Sequence, residues 1–439
     1  MAVATGVPVP RRVRFLAYVR ALASRVGWPS LVPGLVAFSV LASIGVADGG
    51  LFPRAWRLGT LALVSIAGAA LLVRRRIALG RMEWLVIGAF VAYTGWTVAS
   101  GTWSGGMTTA FLNAERSLVY PAAVLAVLLV TDRRSVLHLL VGVLAAATFV
   151  CGYGLSIYLF TSPPLDPVEG KLLFQPVGYA NALGILATVG ILLSLGLAVA
   201  ARRRSMRVVA LVPLVALAPA LLLTSSRGAM VALVIGLVCL PAFGGRIAWR
   251  GWAALGAGAF VAVAVVAVVS GTQLISGQYR IQYWQVAWWD YREHPWLGSG
   301  AGTFGGYWLK HRPVDVFVRS AHTLYLQALA ELGPVGLALI LVAILTPLAV
   351  LRTRRDPIVG AAGAAYVAFA VHAGVDWDWE LPAVTLAGVF CAAALLAAGG
   401  DSAAPITGRG RFALLLPLAA VAGLACLRLK TGGGLPFGP

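Results

Sequence analysis

His322, Arg227 and Arg280 are the side chains in this sequence best suited to chemistry, together with the acidic run DWDWE at 376–380. A neutral imidazole takes a proton from a hydroxyl. A guanidinium offers a planar fork that fits two phosphate oxygens at once. Carboxylates hold hard cations or aim basic side chains. His322 stands in SAHTLYLQALAELGP, which reads as a helix of about three turns, capped by Ser320 and ended by Gly333 and Pro334. That spacing puts His322 in the first turn, where the helix terminus disfavours the imidazolium. A proton-accepting role and a capping or packing role weigh equally on spacing alone. His294 and His311 sit in turn-like contexts and read as structural.

Several cations lie where they could meet an anion. Arg227, in TSSRGAM, falls between two apolar runs with almost no connector. It either faces a cavity or anion, because a charge there is costly, or snorkels to the interface. Arg280 starts a helix-like stretch, Arg116 ends the segment 101–116, and Lys171 precedes QPVGYANALG. A diphosphate leaving group needs such cations as its charge develops. DWDWE has two readings: an Asp-x-Asp metal or nucleotide-sugar site, or a loop whose Asp376 or Asp378 positions an arginine or His322. The second is preferred, so no metal is expected. Cys151, Cys239, Cys391 and Cys426 all fall in apolar runs without pairing or metal spacing.

The elements that must position these residues are apolar helices. The chain has 439 residues, 60% hydrophobic and 11% charged, against about 25% charged in soluble domains. This composition specifies an all-α polytopic membrane protein. Spans are expected near 30–47, 58–73, 84–100, 117–131, 135–160, 179–200, 206–223, 228–244, 252–270, 334–351, 357–375, 382–399 and 411–428. That makes 12–13 helices, since 58–73 and 117–131 are short. The apolar run ending before Asp48 could precede a cleavage site, but its length favours an uncleaved first helix.

With a cytoplasmic N-terminus, the segments expected inside carry 22 of the 34 Lys and Arg residues but only 4 of the 15 acids. The net charge of +19 is therefore a topology signal, not a nucleic-acid patch. The expected organisation is a basic N-terminus at 1–29, a bundle of about nine helices at 30–270, an extracytoplasmic loop domain at 271–333, C-terminal helices at 334–428 and a tail at 429–439. Within the loop domain, RIQYWQVAWWDYR suggests an amphipathic helix with Arg280, Trp284, Ala287, Trp288 and Tyr291 on one face. The following HPWLGSGAGTFGG has glycines that could cradle phosphate. No strand precedes it and no Walker lysine follows, so a structural turn is the better reading.

The ordered set of motifs resembles the O-antigen ligase and polymerase superfamily of bacterial envelope glycosyltransferases. The motifs are S-x-x-W-S at Ser100, Trp103 and Ser104, GYANALG, SRG at 226–228, the R-x-x-x-W helix leading into HPWLGSGAGTF, and AHTLYLQALAELG at 321–333. The resemblance implies a GT-C-like fold and a glycan donor linked to undecaprenyl diphosphate. It further implies transfer at the outer face of the bacterial cytoplasmic membrane, with inversion and without a cofactor. It implies a catalytic set of His322, Arg227, Arg280 and Asp376, with Asp378 as an alternative alignment for the last. Arg116, Lys171, Tyr179, Asn181, Trp284, Tyr325 and Asp378 form the expected substrate-binding set; Trp284 and Tyr325 could stack on sugar or simply anchor the loop. Partners would be membrane lipids, the lipid-linked donor, and a lipid A–core or glycan acceptor. A thirteenth span would depart from the twelve usual in ligases. The alternative from another class is a transporter or flippase of lipid-linked sugars. It is disfavoured because charges sit at span edges instead of mid-membrane.

Overall fold

The computed structural model describes residues 28–74, 77–161, 170–244, 278–400 and 404–431. The protein is an all-α polytopic membrane protein. Among the described residues, ten helices are long and apolar enough to cross a membrane, and two more apolar helices, Ser30–Gly45 and Pro357–His372, are shorter. These account for twelve of the thirteen expected spans. The expected span at 252–270, the basic N-terminus before residue 28 and the tail beyond residue 431 lie outside the described residues.

The first half comprises α1 (Trp28–Gly45), α2 (Pro53–Val73), α3 (Arg81–Ser104), α4 (Met107–Ser117), α5 (Val119–Val130), α6 (Val136–Phe160) and α7 (Ala180–Ala200). It continues with α8 (Arg204–Leu211), α9 (Leu214–Leu223) and α10 (Arg227–Gly244). The two short expected spans find their missing length locally. α2 begins earlier, with Pro53 in its first turn, where a missing N–H costs nothing. α5 is continued N-terminally by α4, which together form one apolar element over Met107–Val130.

The loop region holds α11 (Gln278–Glu293) and α12 (Phe304–His311), and the second half holds α13 (Leu324–Leu345), α14 (Val350–Thr353), α15 (Pro357–His372), α16 (Pro382–Gly399) and α17 (Gly408–Lys430). The only strands among the described residues are two-residue segments, Ala78–Leu79 paired antiparallel with Ala404–Pro405. α7 and α16 are enclosed by other helices, whereas α17 and the α8–α9 span present most of their surface outward. Small residues allow close helix approach: a Cβ on Gly142 of α6 would lie 2.1 Å from the Gly34 carbonyl oxygen of α1.

Gly333, at the expected boundary with Pro334, divides α13 into two helical stretches. The helix runs on to Leu345 with a break at Gly333 (φ 66°, ψ −172°). A proline has no N–H, and the break leaves three successive carbonyls without helical partners. Each is satisfied from outside: Ala330 O by Ser299 N–H at 3.0 Å, Glu331 O by Gly300 N–H at 2.7 Å, and Leu332 O by Trp96 Nε1–H at 2.9 Å. The break is thus the docking point of the glycine-rich turn.

That turn packs as tightly on its other side. Gly298, Gly300 and Gly302 all have positive φ, as only glycine adopts readily. A Cβ on Gly300 would lie 2.1 Å from Ser104 Cβ. Trp103 Nε1 donates to Gly298 O at 3.1 Å, and Ala301 N–H donates to Ser100 Oγ at 3.0 Å. The S-x-x-W-S motif therefore grips this turn. The loop has its own small core of Tyr283, Val286, Ala287, Phe304, Tyr307, Trp308, Ala321 and Ala330.

Candidate functional site

Arg280 of the loop domain, Asn181 of α7 and the acidic run 376–380 come together. Asp376, between α15 and α16, is 1% exposed at its side chain and forms the hub. Its Oδ2 accepts from Arg280 Nη2 at 2.6 Å and from Asn181 Nδ2 at 2.7 Å. Its Oδ1 accepts from Tyr179 O–H at 3.0 Å and from Trp377 N–H at 2.7 Å. Asn181 gives its second hydrogen to Tyr179 Oη at 2.7 Å. A buried carboxylate is stable only with such a full set of donors. It pins the loop helix α11 to the start of α7. The Arg280 side chain is still 26% exposed.

His322 departs from the sequence expectation. It lies outside the helix, which begins at Leu324 with Thr323 as its N-cap. Its backbone is left-handed, φ 54°, which costs a non-glycine residue on the order of 1–3 kcal/mol. Ser320 does not cap the helix; its Oγ donates to Gln327 Oε1 at 2.6 Å. The Leu324 N–H is taken by Ala373 O at 2.8 Å, so the segment is stitched to the end of α15 instead of starting a helix at residue 320.

The imidazole geometry fixes a tautomer. His322 Nδ1 lies 3.0 Å from Ser320 O, and a carbonyl only accepts, so Nδ1 carries the hydrogen. In the neutral ring Nε2 then holds the lone pair. Burial lowers the His322 pKa below 6.5; Asp376, the Ser320 bond and Glu380 pull upward, and Arg280 adds to the lowering. Neutrality thus follows from desolvation more than from a helix dipole. The ring packs against Tyr283, centroids 4.9 Å apart.

Arg116 is committed to protein contacts: Nη1 to Glu380 Oε2 at 2.9 Å and Nη2 to Asn113 Oδ1 at 3.0 Å. Asp378 is buried and pairs with His372 Nδ1 at 3.1 Å, both side chains 1% exposed. Burial raises the Asp378 pKa, against the pull of His372. Arg227 opens α10 and is half-buried. Its neighbour Gly228 faces His372, where a Cβ would lie 3.0 Å from Nε2. Arg227 therefore begins a helix that abuts the acidic loop.

Other expected residues lie apart from this network. The Lys171 ammonium stands over the Tyr158 ring at 5.0 Å. Tyr325 donates its hydroxyl to Ala370 O at 2.7 Å. Trp284 packs partly buried against the loop core. The buried face of α11 is Tyr283, Val286, Ala287 and Asp290, while Trp288 is exposed, so the expected stripe through Trp288 is shifted by burial of a carboxylate. Asp290 takes Ser299 Oγ–H at 2.8 Å and His294 Nδ1 at 3.1 Å. Burial raises its pKa. His311 is held by Tyr307 O at 3.0 Å.

The glycine-rich turn cradles a carboxyl group, and that group is the chain's own Glu331. Gly302 N–H reaches Glu331 Oε2 at 3.0 Å and Phe304 N–H reaches Oε1 at 3.1 Å. Sequence reading passed over Glu331, Glu380, Gln327 and His372. Glu380 was visible as the third acid of DWDWE, and Gln327 and Glu331 as polar residues four apart on one helix face. His372 closes an apolar span and carried no signal. No group of three His, Cys, Asp or Glu side chains suited to a metal ion occurs among the described residues.

Residues 212–341 match the family model described as O-antigen ligase. The matched stretch runs from the end of α8 to α13 and includes Arg227, Arg280 and His322. It supports placing the chain in the O-antigen ligase superfamily. No curated protein matches the chain.

Proposed function

We propose that this O-antigen ligase- or polymerase-like membrane enzyme moves a glycan from undecaprenyl diphosphate to an acceptor hydroxyl at the outer face of the cytoplasmic membrane. The observation that carries this reading is the Asp376 hub, which holds Arg280 within electrostatic reach of His322 while leaving the arginine side chain partly exposed. In the proposed step the acceptor hydroxyl gives its proton to His322 Nε2. Its oxygen attacks the anomeric carbon, and the carbon–oxygen bond to the diphosphate breaks with inversion. The electron pair leaves on the diphosphate, whose growing charge meets Arg280 and Arg227. Such contacts count for catalysis because they strengthen as the bond breaks. Arg116 acts behind them by holding Glu380. The helical core and outer loop are read as a GT-C-like arrangement, with the N-terminus cytoplasmic and residues 271–333 as the extracytoplasmic domain.

The test is transfer by purified, reconstituted protein from an undecaprenyl diphosphate glycan, with lipid A–core or further donor as acceptor and EDTA present. Product formed by the wild type and lost in His322→Ala is the expected result, and the acceptor consumed distinguishes ligase from polymerase. Undiminished transfer by a well-inserted His322→Ala protein would sink the base role. Loss of transfer in EDTA would make DWDWE a metal site.

A further inference from the structure

The contacts behind His322 run through one residue. Gln327 is buried on α13 and uses both ends of its amide. Its Oε1 accepts from Ser320 Oγ at 2.6 Å and from Ala321 N–H at 3.0 Å. Its Nε2 donates to Glu380 Oε1 at 3.3 Å, and the other Glu380 oxygen holds Arg116. Ser320 touches His322 twice: Oγ accepts the His322 N–H at 3.2 Å, and the carbonyl accepts from Nδ1 at 3.0 Å.

We propose that Gln327, oriented by Glu380, is the positioning residue that sets the tautomer and the left-handed turn of His322. The inference rests on reading His322 as the base. An ionised carboxylate only accepts hydrogen bonds, so Glu380 takes the NH2 end of the amide and turns Oε1 toward Ser320. The single Ser320 hydroxyl hydrogen then goes to Gln327, which leaves the oxygen's lone pairs for the His322 N–H. The Ala321 bond completes the clamp on both residues ahead of the histidine. Without the amide, the Ser320 carbonyl is no longer aimed at Nδ1. The ring can then carry its hydrogen on Nε2, where the base must have a lone pair. The other groups facing the ring are Tyr283, Asp376 and Arg280. None of them accepts a hydrogen bond from Nδ1 in the structure.

The experiment joins a tautomer measurement to kinetics. Protein labelled with 15N-histidine in lipid nanodiscs reports ring-nitrogen shifts, with His322 assigned by its loss in His322→Ala. The wild type is expected to show one Nδ1–H tautomer. Gln327→Leu should mix the tautomers and lower kcat on the order of a hundredfold, the scale of a small misplacement, with donor KM little changed. Gln327→Glu alone sets two carboxylates against each other. Combining it with Glu380→Gln restores a donor–acceptor pair across the same contact and should recover the tautomer and much of kcat. A folded Gln327→Leu protein with an unmixed Nδ1–H tautomer and full kcat overturns the proposal, as does one that is merely less heat-stable. A tautomer that depends on Gln327 in a wild type that transfers no glycan upholds the positioning and removes the base role instead.

Discussion

Two buried acidic side chains hold the loop region between α10 and α13, and they do it differently. Glu331 is held by neutral backbone donors, Gly302 N–H and Phe304 N–H, inside a turn that is also locked to Ser100, Trp103 and the helix break. Asp376 is held by Arg280, Asn181 and Tyr179, and the arginine stays partly exposed. The first arrangement uses its donors up within the protein. The second orders a cation that can still meet an anion. A glycine-rich turn with free N–H donors therefore points to a ligand only where the chain has not supplied the acceptor itself.

The contrast can be broken by substitution at either centre. His322→Ala, beside the Asp376 hub, should lower kcat by about 10²–10⁴, the usual contribution of a general base, read in the reconstituted transfer assay. Arg280→Lys keeps the charge but loses the fork, and about 10²-fold in kcat is expected if the guanidinium stabilises the leaving group. At the closed centre, Glu331→Gln should leave turnover per folded molecule intact. It should cost about 1–3 kcal/mol of stability as a buried donor loses its partner, seen as a lower melting temperature in detergent. A large turnover defect there, with unchanged melting, would erase the distinction.

The smallest expected effect is on pH dependence. The base works as neutral imidazole, so the rate is full above the His322 pKa and falls as pH drops through it. Burial sets that pKa below 6.5, so the acidic limb of kcat/KM should lie below 6.5. Asp376 raises the His322 pKa; Asp376→Asn should therefore move the limb further to acid, whereas Glu331→Gln should leave it in place. A limb above 6.5 in the wild type would assign it to another group.

The span map was legible because it depends on nothing but apolar length and the charges between runs. The grouping of Arg280 with Asp376 was also within reach, since DWDWE reads as a loop whose Asp376 or Asp378 positions an arginine or His322. The tertiary details were not. His322 reads as helical from its neighbours, but Gln327 and Ala373 draw the Ser320–Thr323 backbone away from helix. Trp288 fits an amphipathic stripe, yet α11 turns Asp290 inward because Ser299 and His294 are there to receive it. Arg116 looked like a free cation until Glu380 came beside it.

The last helix has a consequence for experiment. α17 runs antiparallel to α2: Arg411 donates to Leu71 O at 3.0 Å near one end. At the other, Arg428 Nε meets Glu115 at 3.1 Å, while Arg57 Nη2 meets the same carboxylate at 2.9 Å. Glu115 adjoins Arg116, so the chain delivers Lys430 to the same end of the bundle as the Asp376 hub. A fluorescent or enzymatic reporter fused beyond that lysine would share a compartment with the Asp376 hub, and its signal would read the sidedness of that end of the bundle in intact cells without any substrate.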